Sequence, residues 1–170
     1  MNKQEKYELL KEQIQALTKG ETDEVAVMAN VAAAIHEMMG FFWTGFYRVM
    51  TKAGSTEKEL VLGPFQGPVA CMHIAYGQGV CGAAWKLRRT IVVPDVEQFP
   101  GHIACSSQSR SEIVVPLFSK TRDVVAVLDI DSRELATFEP RDVADPWYTG
   151  NFEATWRDVL EGCQCLLEQL

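Results

Sequence analysis

The sequence predicts an α+β domain in which an antiparallel sheet carries the terminal helices on one face. Three observations predict it: two helical segments open the chain, strand-like segments rich in aromatic and β-branched residues fill its middle, and another periodic helix closes it. Strands that are not regularly alternated with helices favour antiparallel pairing. At 170 residues the chain is expected to form one domain over residues 1–170.

The helices are predicted from apolar side chains that recur at steps of three and four. Residues 2–18 form the first, which ends before Gly20 and has the stripe Tyr7, Leu10, Ile14 and Leu17. The second begins after Asp23, a predicted N-cap, ends at Gly40 and has the stripe Val25, Met28, Ala32, Ile35 and Met39. The C-terminal helix is the most regular, with Phe152, Trp156, Val159, Cys163, Leu166 and Leu170.

The strands are predicted where the period changes to that of extended chain. The predicted strands cover residues 41–50, 60–65, 90–96, 111–119 and 123–132. Residues 66–90 read as irregular apart from a short helix at 80–89, and residues 97–110 read as a long loop.

Charge and segment composition exclude several functional classes. The net charge is −7 with no basic stripe, which argues against nucleic acid and anionic lipid as partners. The charged N-terminus has no apolar signal region, and no stretch approaches the roughly 20 apolar residues of a membrane span. We therefore expect a cytoplasmic protein whose five cysteines are reduced by default, which favours catalysis, redox sensing or metal binding over structural disulfides.

The five cysteines divide into two groups. Cys163 lies on the apolar stripe of the last helix, where a buried packing role is favoured, and Cys165 receives no role. Cys71, Cys81 and Cys105 lie in glycine-rich irregular segments, where functional residues tend to occur. If Cys105 is oxidised, a second cysteine brought near by the loops would convert it to a disulfide.

Structural zinc is the competing interpretation of these cysteines. Two histidines, His73 and His102, are close to them in sequence, so enough ligands exist for a tetrahedral site. The spacings are poor, however, because no Cys-x-x-Cys pair is present. We therefore favour redox chemistry and predict no metal.

Three carboxylates mark the ends of two predicted strands. Asp129 and Asp131 are two residues apart and share one face of their strand, and a closed hairpin places Glu112 beside them. They either cluster near Cys105 or remain solvated strand-end charges. Clustering would raise at least one carboxyl pKa and leave a protonated acid near neutral pH.

Taken together, seven motifs resemble those of the free methionine-R-sulfoxide reductases, which are single-domain GAF proteins. They cover about residues 20–140 in the family's order: "WTGFY", "LGPFQG-x-x-AC", "GxGVCG", "VVPDV", "FPGHIAC", "SRSEIV-x-P" and "VLDIDS". The resemblance implies a six-stranded antiparallel sheet. It also implies reduction of free L-methionine-R-sulfoxide, with electrons from thioredoxin and ultimately NADPH, and no resident cofactor.

The resemblance also assigns roles to individual residues. Cys105 matches the nucleophile, Cys71 the recycling cysteine, and Cys81 a third cysteine that pairs with the nucleophile in some members. The substrate contacts are expected at Trp43, Tyr47, Glu112, Asp129 and Asp131, with Glu112 or Asp129 as proton donor. We further expect backbone amides from Ile103 through Ala104 to Cys105 to hold the substrate carboxylate, and Trp43 to pack the S-methyl group.

Two departures and one alternative accompany the resemblance. Many members have aspartate directly after "HIAC", where this chain has Ser106, and the segment from Ala144 lies outside the motifs. The alternative is a GAF module that binds a small molecule or senses redox state without turnover. A homodimer is expected from the amphipathic terminal helices and from the resemblance.

Overall fold

The computed structural model describes residues 2–103 and 105–138, which form three α-helices and six strands. In chain order these are α1 (Lys3–Thr18), α2 (Glu24–Met39), β1 (Trp43–Thr51), β2 (Lys58–Gln66), β3 (His73–Ala75), α3 (Gly79–Leu87), β4 (Ile91–Val93), β5 (Ser111–Phe118) and β6 (Val124–Ser132). A 3-10 turn at Val96–Gln98 interrupts the predicted long loop. The predicted C-terminal helix, with Cys163 and Cys165, lies outside the described residues.

The strands form one antiparallel sheet in the order β3-β2-β1-β6-β5-β4. This confirms the antiparallel six-stranded sheet of the predicted α+β, GAF-like fold. The interpretation of residues 66–90 as irregular outside a helix was wrong at β3, which pairs with Glu59, Leu60 and Val61 of β2. Three residues are too few to establish a period of two, so β3 has no sequence signal of its own.

The two faces of the sheet are covered by different helices. Helices α1 and α2 pack on one face, where Leu10 and Ile35 join Phe46, Leu128 and Ile130 in one core cluster. The prediction that the N- and C-terminal helices share one face stays a prediction, because the C-terminal helix lies outside the described residues. Helix α3 covers the other face, where Trp85 shares a second cluster with Tyr47 and Val114. The described part of the chain is therefore a sheet between two helical layers.

Local capping explains where the N-terminal helices begin and end. Asn2 and Glu5 form a reciprocal capping box, with 2.9 Å hydrogen bonds in both directions. The predicted N-cap Asp23 accepts a 2.8 Å hydrogen bond from the amide of Ala26, and Gly40 ends α2 at φ 70°.

Two members of the predicted apolar stripes are not buried. Leu17 is 45% exposed and Val25 is 44% exposed, whereas Val27 and Val31 are fully covered. Helix α2 is apolar over most of its length, so several stripes fit a period of 3.6, and contact with its neighbours selects among them. No helix within the described ranges is both long enough and apolar enough to cross a membrane.

Candidate active site

A cleft lies between α3, the α3-facing side of the sheet and the loop before β5. It encloses about 560 Å³ of space, including its open mouth. The cleft brings together eight of the predicted site residues: Trp43, Tyr47, Cys81, Ile103, Cys105, Glu112, Asp129 and Asp131. Of the remaining two, Cys71 is joined to Cys105, and Ala104 lies outside the described residues.

Strand register assembles the carboxylates at the base of the cleft. Glu112 of β5 is the direct partner of Asp131 of β6, and Asp129 is two residues from Asp131 on the same face. Glu112 and Asp129 are buried, at 6% and 7% exposure, and Asp131 is partly buried. The predicted cluster is confirmed, and the alternative of solvated strand-end charges is wrong.

Burial makes all three carboxyl groups hard to ionise. The pKa of Glu112 is raised well above its usual range, first by burial and then by the charges of Asp129 and Asp131. Burial likewise raises the pKa of Asp129 well above normal, and Asp131 adds to the effect. The pKa of Asp131 rises only to about 6, because the Ser109 hydroxyl donates a hydrogen bond to its Oδ1. The base therefore favours the neutral acid form at Glu112 and Asp129, whereas Asp131 ionises most easily of the three.

Cys81 places a thiol among these carboxyl groups. It stands in the first turn of α3, is 4% exposed and forms no disulfide. One ligand atom each from Cys81, Glu112 and Asp129 lie within 4.8 Å of one another. Burial, followed by the charges of Asp129 and Glu112, raises the pKa of the Cys81 thiol well above normal. Cys81 is therefore a neutral thiol, unlike a reactive cysteine.

The mouth of the cleft carries a disulfide between Cys71 and Cys105. Their Cα atoms are 5.6 Å apart although 34 residues separate them in sequence. Cys105 is exposed in the loop before β5, and Cys71 is partly buried in the loop before β3. Large apolar side chains flank the disulfide in sequence: Val69 at 84% exposure, Met72 at 70% and Ile103 at 39%.

This arrangement does not assemble the zinc set considered from sequence. The sulfurs of Cys71 and Cys105 are bonded to each other, and His73 Nδ1 lies 3.1 Å from Glu59 Oε1 on the β2–β3 pair. Among the described residues, the group close enough to hold a metal contains Cys81 but none of the other four candidates. The Cys71, His73, Cys81, His102 and Cys105 set is therefore not a site in this state.

An aromatic wall connects the base to the mouth. Trp43 stacks on Tyr47 with ring centroids 6.0 Å apart and on Phe65 at 5.4 Å. Its indole covers Gly45, where an added Cβ would lie 2.4 Å from the Trp43 ring, so the wall requires glycine there. The Tyr47 hydroxyl donates a 3.0 Å hydrogen bond to the Cys71 carbonyl, and burial raises the Tyr47 pKa, so this donor remains protonated.

Sequence reasoning missed several contributors to the site. His102 Nε2 lies 3.8 Å from Glu112 Oε2, and burial lowers the His102 pKa, which favours neutral imidazole. His102 was considered only as a zinc ligand, and Ser109, the partner of Asp131, received no role. Both belong to quoted motifs, "FPGHIAC" and "SRSEIV", which are the signals that could have found them.

The backbone amides that are free to bind a carboxylate differ from those expected between Ile103 and Cys105. The Cys105 amide donates to the Ile103 carbonyl at 3.0 Å and is not free for a ligand in this state. The first turn of α3 lines the cleft with Gly79, Val80 and Cys81, whose amides have no acceptor within the helix. A glycine at the start of a predicted helix was the available sequence signal for these donors.

Known proteins share this chain's sequence and fold. The model of the family described as "GAF domain" matches residues 21–144. The Dictyostelium discoideum "GAF domain-containing protein A" is 54% identical over 83% of this chain and 85% of its own. The Escherichia coli "Free methionine-R-sulfoxide reductase" is 43% identical, with coverage of 84% and 82%. A Neisseria meningitidis free methionine-R-sulfoxide reductase solved with its substrate is 45% identical, with a TM-score of 0.82 and coverage of 96% and 89%. The chain therefore belongs to the free methionine-R-sulfoxide reductase family of GAF-domain proteins.

Proposed function

We propose that this chain reduces free L-methionine-R-sulfoxide to L-methionine, with Cys105 as nucleophile and Cys71 as resolving cysteine. The observation that carries the proposal is a Cys71–Cys105 disulfide at the mouth of a cleft whose base holds buried carboxyl groups. The names of the Escherichia coli and Neisseria relatives supply the substrate. The thiols and the acids are the two chemical functions that the reduction of a sulfoxide requires.

Each part of the substrate has a complementary surface in the cleft. The ammonium group pairs with Asp131, the most easily ionised of the three carboxyl groups. The sulfoxide oxygen accepts a hydrogen bond from protonated Glu112 or Asp129, and Trp43 packs the S-methyl group. Backbone amides hold the carboxylate. We assign the carboxylate to the amides of Ile103 and Ala104, and the first turn of α3 offers additional amide donors.

The proposed chemistry proceeds in four steps. The Cys105 thiolate attacks the sulfoxide sulfur while Glu112 or Asp129 donates a proton to its oxygen. Methionine leaves as the oxygen is transferred, and Cys105 becomes a sulfenic acid. The Cys71 thiol attacks that sulfur, water leaves, and the disulfide forms. A dithiol then reduces the disulfide by exchange.

The dithiol is proposed to be thioredoxin, whose electrons come ultimately from NADPH. An exposed disulfide flanked by Val69, Met72 and Ile103 suits a protein reductant, because apolar contact accompanies access to the sulfur. Turnover on this route needs no resident cofactor or metal. We also propose that the enzyme is a cytoplasmic homodimer, as thioredoxin coupling and the family resemblance suggest.

The test is NADPH oxidation coupled through thioredoxin reductase and thioredoxin, with each epimer of free methionine sulfoxide. We expect consumption with the R-epimer only, and none for Cys105→Ser. A peptide map after one turnover should contain the Cys71–Cys105 link. Stoichiometric binding of the sulfoxide without NADPH consumption would select the GAF sensor instead. Unchanged turnover in Cys105→Ser would refute the assignment of the nucleophile.

A further inference from the structure

The base of the cleft combines a thiol with two carboxyl groups. Cys81, Glu112 and Asp129 each point one ligand atom into a space no more than 4.8 Å across, and all three side chains are buried. Asp129 Oδ1 is fully buried and has no hydrogen-bond partner among the described residues. The Asp129 carboxyl group hydrogen-bonds Cys81 and Glu112, so the orphan Oδ1 is the part of it that is left for a ligand.

The donor set identifies the class of that ligand. A carboxylate oxygen alone attracts ammonium, Mg²⁺ or Ca²⁺ equally well, but a sulfur among carboxylates favours a softer ion. Zinc takes Cys, Asp and Glu ligands at about 2.0–2.3 Å, so ligand atoms around one ion lie about 3.3–3.8 Å apart. The three side chains need to close by only about 1 Å to reach this spacing. Three protein ligands leave a fourth position for water.

We propose that Cys81, Glu112 and Asp129 form a binding site for a thiophilic divalent cation, Zn²⁺ or its analogue Cd²⁺, at the base of the cleft. The cation replaces the protons that these groups carry, binds Glu112 and Asp129 as carboxylates and Cys81 as thiolate, and the displaced protons are released to solvent. The ion reaches the site through the open cleft, because all three residues line it. This site differs from the five-residue zinc set above, which shares only Cys81 with it.

The site is also predicted to exist while Cys71 and Cys105 are oxidised, since neither sulfur takes part. Cation binding is therefore independent of turnover and stands or falls separately from the proposed reductase activity. If that activity is correct, a bound cation occupies the carboxyl groups assigned to the substrate and holds the enzyme inactive.

The experiment isolates Cys81 as the only thiol of the full chain. The chain has five cysteines, so Cys163→Ser/Cys165→Ser in the oxidised Cys71–Cys105 form leaves Cys81 alone. Cd²⁺ is titrated into this protein while the ultraviolet cadmium–thiolate charge-transfer band and the heat of binding are recorded. We expect one equivalent to bind and the band to appear at the same stoichiometry.

Three further variants in that background decide the assignment. Cys81→Ser should lose the band, and Asp129→Asn or Glu112→Gln should keep it but weaken affinity at least tenfold. Glu97→Gln, which removes an exposed carboxylate away from the cleft lining, should bind as the parent does. The site would be overturned if the parent showed no band. It would also be overturned if Asp129→Asn and Glu112→Gln bound Cd²⁺ with the affinity of the parent. Circular dichroism checks that each variant is folded. Because there are two carboxylate variants, the test still works if one of them fails to fold.

Discussion

The mouth and the base of the cleft hold cysteines in opposite environments. At the mouth, Cys71 and Cys105 lie in loops, and Cys105 is exposed to solvent. At the base, Cys81 lies on a helix beside Asp129 and Glu112, and its burial, followed by their charges, raises the pKa of its thiol. A thiolate is the reactive form of cysteine, so the mouth supports disulfide exchange and the base suppresses it. Environment, more than spacing along the chain, decides what each cysteine can do.

Replacing the proposed resolving cysteine, Cys71, tests the difference between mouth and base most directly. We expect Cys71→Ser to lower thioredoxin-supported turnover by about 100-fold or more, because the sulfenic acid at Cys105 has no thiol to condense with. The first equivalent of methionine should still be released, which a single-turnover assay measures. Cys81→Ser is the matched variant and should still give the Cys71–Cys105 link in a peptide map. A Cys81–Cys105 link in the wild-type map would assign resolution to the base.

The acids at the base provide the next largest effect. Glu112→Gln and Asp129→Asn keep the shape of each side chain but remove its acidic proton, so we expect kcat to fall by about 10²–10⁴ for the variant that removes the true donor. The other variant should mainly raise KM. Steady-state rates with the R-epimer separate the two, and Glu97→Gln is the surface control. If neither variant lowers kcat by more than about twofold, proton donation does not come from these groups.

Both regions could be predicted only in part from the sequence. The β5–β6 hairpin is short and strongly patterned, so the period of two placed Asp129 and Asp131 on one face and Glu112 beside them. Whether the three carboxyl groups cluster or stay solvated was left open by the sequence. The Cys71–Cys105 pairing did not follow from the residues, because loops without periodicity set the distance between them. It was available only through the family resemblance.

The errors also have physical causes. The burial of Cys81 next to Asp129 depends on how α3 docks on the sheet, a long-range contact that local pattern does not encode. The short strand β3 is held by pairing with β2 and has no periodic signal. Val25 was placed on the wrong side of α2 because an apolar, alanine-rich helix fits several stripes.

The pH dependence of substrate binding distinguishes Asp131 from the other two carboxyl groups of the base. Asp131 has a pKa of about 6 while Glu112 and Asp129 are shifted further, so Asp131 is the anion at neutral pH. As pH falls below about 6, Asp131 gains a proton and the ammonium partner is lost. We expect the Kd of free methionine-R-sulfoxide to approach a tenfold rise per pH unit there. Calorimetry with Cys105→Ser measures it, and Asp131→Asn should bind weakly at every pH. A flat Kd from pH 5 to 8 in Cys105→Ser would contradict the role of Asp131.

The smallest expected effect is on the free energy of unfolding, which reports the burial of Asp129 at the base without any substrate. The folded-state pKa of Asp129 is raised above its unfolded value, so the folded protein holds the proton more tightly than the unfolded chain. The resulting stabilisation is complete below the unfolded pKa and is lost as pH rises through the folded pKa. Above that pH the buried carboxylate destabilises the folded protein. Asp129→Asn removes this destabilisation, so we expect it to raise the free energy of unfolding more at pH 8 than at pH 5. Urea denaturation at the two pH values measures the difference, with Glu97→Gln as the control. A gain that is equal at both pH values would mean that Asp129 is ionised in the folded protein at both, which would contradict its raised pKa.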